Sequence, residues 1–171
     1  NLDIHTKRNL ELVETLRLKE RTYSLLWLLD KTKTAMGSRL LKEYIENPLI
    51  SKKEILRRQN QISTFLVEFI YKEELRELLN NVYDLERLSG RVTYGNVNAR
   101  DLLQLKNSIK VLPEIKKILE SINYDKTFTP LEELYNLLEK GIKEEVPITI
   151  KEGNIIKEGF NEELDNLRSL S

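Results

Sequence analysis

Leucine and isoleucine recur along this chain at intervals of three and four, the spacing that lines one face of an α-helix. Met36, Leu40, Leu41, Tyr44 and Ile45 form one such face, and Thr34 stands where its N-cap belongs. Asn47-Pro48 closes that helix, because proline drives the preceding residue out of the helical region. Ser51-Lys52-Lys53-Glu54 has the capping-box pattern and predicts a helix through Ile55, Ile62, Phe65, Leu66 and Phe69. A further helical pattern runs through Leu75, Leu78, Leu79, Val82, Leu85 and Leu88, weakened at its far end by Gly90 and Gly95. Asn98 to Asp101 caps a helix carrying Leu102, Leu105, Ile109 and Leu112, and Pro113 must kink it or begin a new one. Thr129-Pro130-Leu131-Glu132 combines a cap, a proline at the first helical position and a box glutamate. Leu131, Leu134, Leu138 and Ile142 follow it on one face.

Shorter signals fill the rest. Ser24 to Asp30, with Leu25, Leu26, Trp27, Leu28 and Leu29, reads as a short buried turn or helix. The stretch to Leu18 fits helix and strand periods only in part, through Leu10, Leu12 and Leu16. Ile148-Thr149-Ile150 and Asn154-Ile155-Ile156, around Gly153, read as a small hairpin. Asn161 caps a final helix with early acids and a Leu164, Leu167, Leu170 stripe. The predicted fold is all-α, a multi-helix antiparallel bundle with a small β-hairpin near 148–156. Residue 1 is Asn, and the last helix runs on without a glycine or proline stop, so a domain excised from a larger protein is expected.

Composition narrows the chemistry. With 28 basic and 28 acidic residues the chain is formally neutral, whereas autonomous nucleic-acid binders are usually basic. The lack of cysteine excludes disulfides, thiolate metal sites and a cysteine nucleophile. His5, the one histidine, excludes most multi-histidine metal sites and double-histidine acid–base schemes. No apolar run reaches the ~18 to 20 residues of a membrane helix, and the expected setting is intracellular and cytoplasmic.

Motifs are scarcer still. Neither a phosphate-binding loop, nor a dinucleotide fingerprint, nor a serine nucleophile elbow occurs. Glu132-Glu133, Glu144-Glu145 and Glu162-Glu163 are adjacent pairs, which point to different sides of a helix and read as solvated or capping charges. His5 reads as a surface or N-terminal packing residue. Tyr23 and Trp27 resemble a base-stacking pair but, within an apolar run, are expected in the core. From Lys31 to Arg58, eight cations against three glutamates leave a charge of +5, with a patch at Lys52 to Arg58 suited to phosphate or an acidic partner. An ordinary solvated helix surface is the plainer reading of that patch. The residues alone therefore describe a helical module without an active site.

Ordered strings carry more. They are Arg8-Asn9-Leu10-Glu11-Leu12, Leu28-Leu29-Asp30-Lys31-Thr32-Lys33-Thr34 and Gly37-Ser38-Arg39-Leu40-Leu41. Asn47-Pro48-Leu49, Asp84-Leu85-Glu86-Arg87-Leu88, and Arg91 with Gly95 and Arg100-Asp101-Leu102 follow. The last runs from Ile156 to Arg168, through Lys157-Glu158-Gly159-Phe160. In this order they resemble the core, or lever, domain (domain III) of the MutS family of DNA mismatch-repair ATPases, over essentially the whole chain. Ala35 and Ala99 stand where that family often has proline, and Phe160 where it has tyrosine. The pattern resembles a bacterial mismatch-sensing branch most.

The resemblance implies that residues 1–171 are the N-terminal part of the core domain, ending at the start of the lever helix toward the clamp. It implies a structural, allosteric role, coupling ATP state to the DNA clamp, with no catalytic, cofactor-binding or metal-ligating residue in this chain. ATP and Mg would bind elsewhere in the parent protein, expected to be a DNA-dependent ATPase. Mismatched duplex DNA, a MutL-type repair partner and a second copy of the parent are the implied partners, with no membrane. The cytoplasm, at the nucleoid when on DNA, is the implied location. DNA-contacting side chains are not identified by it. The alternative is a helical protein-interaction module of a MutS-like protein acting outside mismatch repair.

Overall fold

Side-chain caps set most of the helix starts. A computed structural model of the chain describes residues 2–147 and 153–170. Among these the fold is all-α, with helices α1 (Ile4–Asn9), α2 (Leu25–Leu29), α3 (Ala35–Glu46), α4 (Lys52–Val67) and α5 (Phe69–Leu79) in the first half. The second half holds α6 (Leu85–Thr93), α7 (Ala99–Lys110), α8 (Leu112–Ser121), α9 (Glu132–Gly141) and α10 (Glu162–Ser169). Thr34 accepts from the Gly37 amide, Asn161 from the Leu164 amide, and Ser24 from the Trp27 amide. Asn98 and Asp101 form a complete reciprocal capping box. At Ser51 the hydroxyl accepts from the Glu54 amide, while the Glu54 carboxylate pairs with Arg57 Nε at 3.0 Å. Asn47 closes α3 ahead of Pro48, and Pro113 stands in the first turn of α8.

Three helix expectations are corrected. The helix predicted from Ser51 through Phe69 breaks at Glu68, whose ψ is 57°, and Phe69 opens α5. Ser63 and Thr64 hydroxyls donate to the carbonyls of Gln59 and Asn60, a back-bonding pattern that weakens a helix end. The single pattern from Leu75 to Leu88 is two helices, because Asp84 accepts from the Arg87 amide and starts α6 afresh. Thr129-Pro130 does not start α9. Leu131 takes a left-handed conformation (φ 59°) as an N-cap without a side-chain bond, so a kink separates the threonine from the helix it was expected to cap. Of the hairpin, 148–150 lies outside the described residues. The 154–156 half pairs with the end of α9 through an antiparallel bridge, Ile142 to Ile156.

The chain forms two compact units. The first comprises Asn1–Asn80 with Ile122–Tyr124. Leu12, Leu26, Ser24 and Ile122 are buried in it, yet α3, α4 and α5 contribute no fully buried residue. The run around Leu26 is the short helix expected, with Leu26 buried, but its other apolar residues are not: Leu28 is 61% exposed, and Tyr23 (78%) and Trp27 (44%) pack against each other, centroids 5.3 Å apart and rings tilted by 56°, instead of entering a core. The second unit comprises Asn81–Ser121 with Asp125–Ser171. Its α7 packs on α6, α8 and α9, and Ile109, Leu138 and Ile142 form its centre. Leu102, Leu105, Leu112 and Leu134 pack around them, while Leu131 is turned outward by its own backbone.

Candidate functional site

The ordered strings of the sequence become polar clips that hold chain corners. In the first unit Asp30 follows α2 and accepts from the Thr32 amide and hydroxyl, from the Ser38 hydroxyl at 2.6 Å, and from Arg21. One carboxylate thus joins the segment before α2 to the first turn of α3, where Gly37 and Ser38 sit. An added Cβ on Gly37 would meet Thr34 Oγ1 at 3.1 Å, which suits a residue without one. The hydroxyls of Ser38, then Thr32, hold the Asp30 carboxyl well below the usual carboxylate range.

The second unit has three clips. Asp101 is buried, accepts from the Asn98 amide at 3.0 Å and pairs with Arg91 Nε at 2.9 Å. Arg91 also donates to the Asn96 carbonyl across a turn made by Gly95, whose φ is +69°. Lys106, itself buried, places Nζ 3.0 Å from Glu139, and Lys157 Nζ donates to the Glu139 carbonyl at 2.7 Å. The hydrogen bond from Lys106 is the leading cause holding the Glu139 carboxyl below its ordinary value. Ser108 is fully buried, accepting from the Tyr83 amide and donating to the Gln104 carbonyl.

These two carboxyls give stability a sign with pH. Their folded pKa values lie below the unfolded ones of about 3.9 and 4.3. Their contribution is therefore present above those values and lost as pH falls through the folded ones. Urea midpoints of the chain are expected to drop steadily below about pH 4.5. Asp30→Asn should lower the neutral-pH midpoint and flatten the acid limb; an unchanged acid limb would refute the role of Asp30.

The root of α10 is a third clip. Arg168 Nη2 donates to the Ile156 carbonyl at 2.9 Å, and the Gly159 amide donates to Asp165 at 2.7 Å. Segment 155–157 is in turn held to the end of α9 by Lys143 N–H to Ile155 O (3.0 Å) and Lys157 N–H to Gly141 O (2.9 Å). Phe160 covers Gly141, where an added Cβ would meet the ring at 3.0 Å. Leu167, between the two clipping residues, is 59% exposed, and Leu170, after them, is 83% exposed.

The remaining sequence candidates are surface features. His5 is exposed, and the three glutamate pairs are exposed, two of them in the first turns of α9 and α10. Lys52 and Lys53 are exposed on the first turn of α4, while Arg58 lies over the Tyr44 ring at 3.6 Å. No helix of the described residues is long and apolar enough to cross a membrane, and no group of metal-ligating side chains converges among them. Sequence reasoning missed Lys106, Ser108 and Glu139. Their partners lie far apart along the chain, and a lysine or serine on a helix ordinarily reads as surface.

The MutS domain III family model matches residues 5–170. The DNA mismatch repair protein MutS of Bacillus subtilis (strain 168) is 51% identical over 176 residues, covering 99% of this chain and 20% of that protein. Those of Bacillus cytotoxicus and Staphylococcus saprophyticus are each 52% identical, over 99% and 96% of the chain and 20% and 19% of the relative. The chain thus spans about a fifth of the length of the curated relatives it matches.

Proposed function

We propose, because this chain belongs to the MutS domain III family, that it is the first part of a core domain whose α10 begins a lever running toward a DNA clamp. Its work is mechanical coupling. ATP, with Mg, acts elsewhere in the parent, and the lever carries the change to a clamp that closes on or releases mismatched duplex DNA. The chain itself performs no catalysis in this reading and holds no cofactor. A parent homodimer, a MutL-type repair partner and a cytoplasmic location complete it.

The observation that carries the reading is the clipped root of α10. A helix transmits a displacement only if its base moves as one with the body behind it. Arg168 and Asp165 fasten α10 to segment 156–159, which is itself paired with the end of α9. Past Arg168, Leu170 is 83% exposed. Packed elements of this kind carry two-state changes because their interfaces switch between discrete arrangements.

The test uses the full-length parent with Leu167→Pro, which removes a ladder hydrogen bond and clashes with the preceding turn, and Leu167→Ala as control. The proline variant should still bind ATP and prefer a mismatched duplex in fluorescence anisotropy, yet lose ATP-dependent release. The alanine variant should release normally. Retained release in the proline variant would sink the lever.

A further inference from the structure

We propose that Phe160 is a positioning residue that sets the direction of α10 by stapling it onto α9, an inference that rests on the lever reading above. A large apolar side chain just before an N-cap ordinarily packs on the fourth residue of its own helix. That contact fixes the angle at which the chain enters the helix. In α10 the N-cap is Asn161, so Phe160 precedes it and Asp165 is the fourth position. Asp165 offers no apolar seat: its carboxylate accepts from the Gly159 amide at 2.7 Å and pairs with Arg168 at 3.3 Å. The ring lies on Gly141 of α9 instead, with Cε2 3.0 Å and Cζ 3.2 Å from where a Cβ would stand.

Gly141 is buried, is the last helical residue of α9 and does not have a positive φ. Alanine suits a helical backbone better than glycine does. The backbone therefore does not call for glycine at this position, whereas the ring does. The Gly141 carbonyl also accepts the Lys157 amide at 2.9 Å, so one residue both seats the ring and holds the segment leading into α10. The entry angle of α10 is thereby set against α9. Phe160 also lines an open groove of about 370 Å³ with Ile156, Leu164 and Leu167. A ring pushed off Gly141 has that groove to enter, so the contact can be broken without unfolding the unit.

The test uses the full-length parent and follows ATP-dependent release from a mismatched duplex by fluorescence anisotropy, alongside ATP binding and mismatch preference. Phe160→Ala removes the staple and Gly141→Ala blocks its seat. Each is expected to slow release about tenfold while leaving ATP binding and mismatch preference intact. The double variant Gly141→Ala/Phe160→Ala should be no slower than Phe160→Ala alone, because both changes remove one contact. Phe160→Tyr, which keeps the ring, should release normally. Normal release in Phe160→Ala, with or without a lower urea midpoint, overturns the proposal, as do losses that add in the double variant. Leu167→Pro separates the staple from the lever. If it keeps release, the lever falls and the staple with it; if it loses release while Phe160→Ala keeps it, only the staple falls.

Discussion

Replacing Asp101 by alanine is expected to lower the unfolding free energy of the chain by about 3 kcal/mol. Losing one partner of a buried ion pair costs ~3–5 kcal/mol, because the charge left behind has no compensation. The Arg91 side chain is 34% exposed, which lets water relieve part of that cost. The substitution also opens the capping box of α7, worth ~1 kcal/mol. The two effects together place the loss near the lower end of the buried-pair range.

Asp101 matters this much because three local decisions meet at it. The α6 helix ends in a Schellman arrangement, with Gly95 N–H on Val92 O and Asn96 N–H on Arg91 O, both at 3.1 Å. That turn, open to glycine at φ +69°, brings the chain back so that Arg91 reaches the start of α7. Asp101→Asn should cost less than the alanine change, since the amide oxygen still accepts from Asn98 N–H. Urea unfolding at neutral pH with both variants checks the order. An alanine loss below ~1 kcal/mol would mean the clip contributes little.

Features that depend on a few adjacent residues were legible in the sequence. Thr34, Ser51, Asn98 with Asp101, and Asn161 are caps in the structure as the sequence predicts, and Asn47-Pro48 and Pro113 mark real boundaries. The misses have a common physical origin: short patterns do not register backbone conformation or distant partners. Apolar spacing continues smoothly through Glu68, so nothing in it announces the break between α4 and α5. Thr129-Pro130 satisfies every local rule for a helix start, and the left-handed Leu131 defeats it. Tyr23 and Trp27 lie in an apolar run, but a run says nothing of whether a core exists on that side. The strings that pointed to the family were legible as order and spacing only. Their physical content, carboxylates at Asp30 and Asp101 and the Asp165–Arg168 root, is visible once distances are known. The Lys106–Glu139 pair joins positions 33 residues apart in the numbering, 139 minus 106, and no local pattern encodes it.

Ile109→Ala is expected to cost about 4 kcal/mol, the largest loss among these substitutions. Ile109 is 1% exposed and sits on α7 between Leu138 and Ile142, with leucines of α7 and α9 closing around it. Deleting its three outer carbons removes transfer free energy and leaves a cavity, together ~2–5 kcal/mol according to how far the neighbours collapse. Collapse is restricted here on both sides. The backbone of α7 beside it is pinned by Ser108, whose hydroxyl accepts from Tyr83 N–H and donates to Gln104 O. The end of α9 is pinned by the bridge to Ile156 and by Lys157 N–H on Gly141 O. A site that cannot close should fall in the upper part of the range. Ile109→Val, one methyl smaller, should cost ~1 kcal/mol, so the two variants are expected to differ by about threefold or more. Urea unfolding measures both, and an alanine loss under ~2 kcal/mol would show that the walls do move. That outcome would also weaken the lever reading, because the segment that anchors α10 is one of those walls.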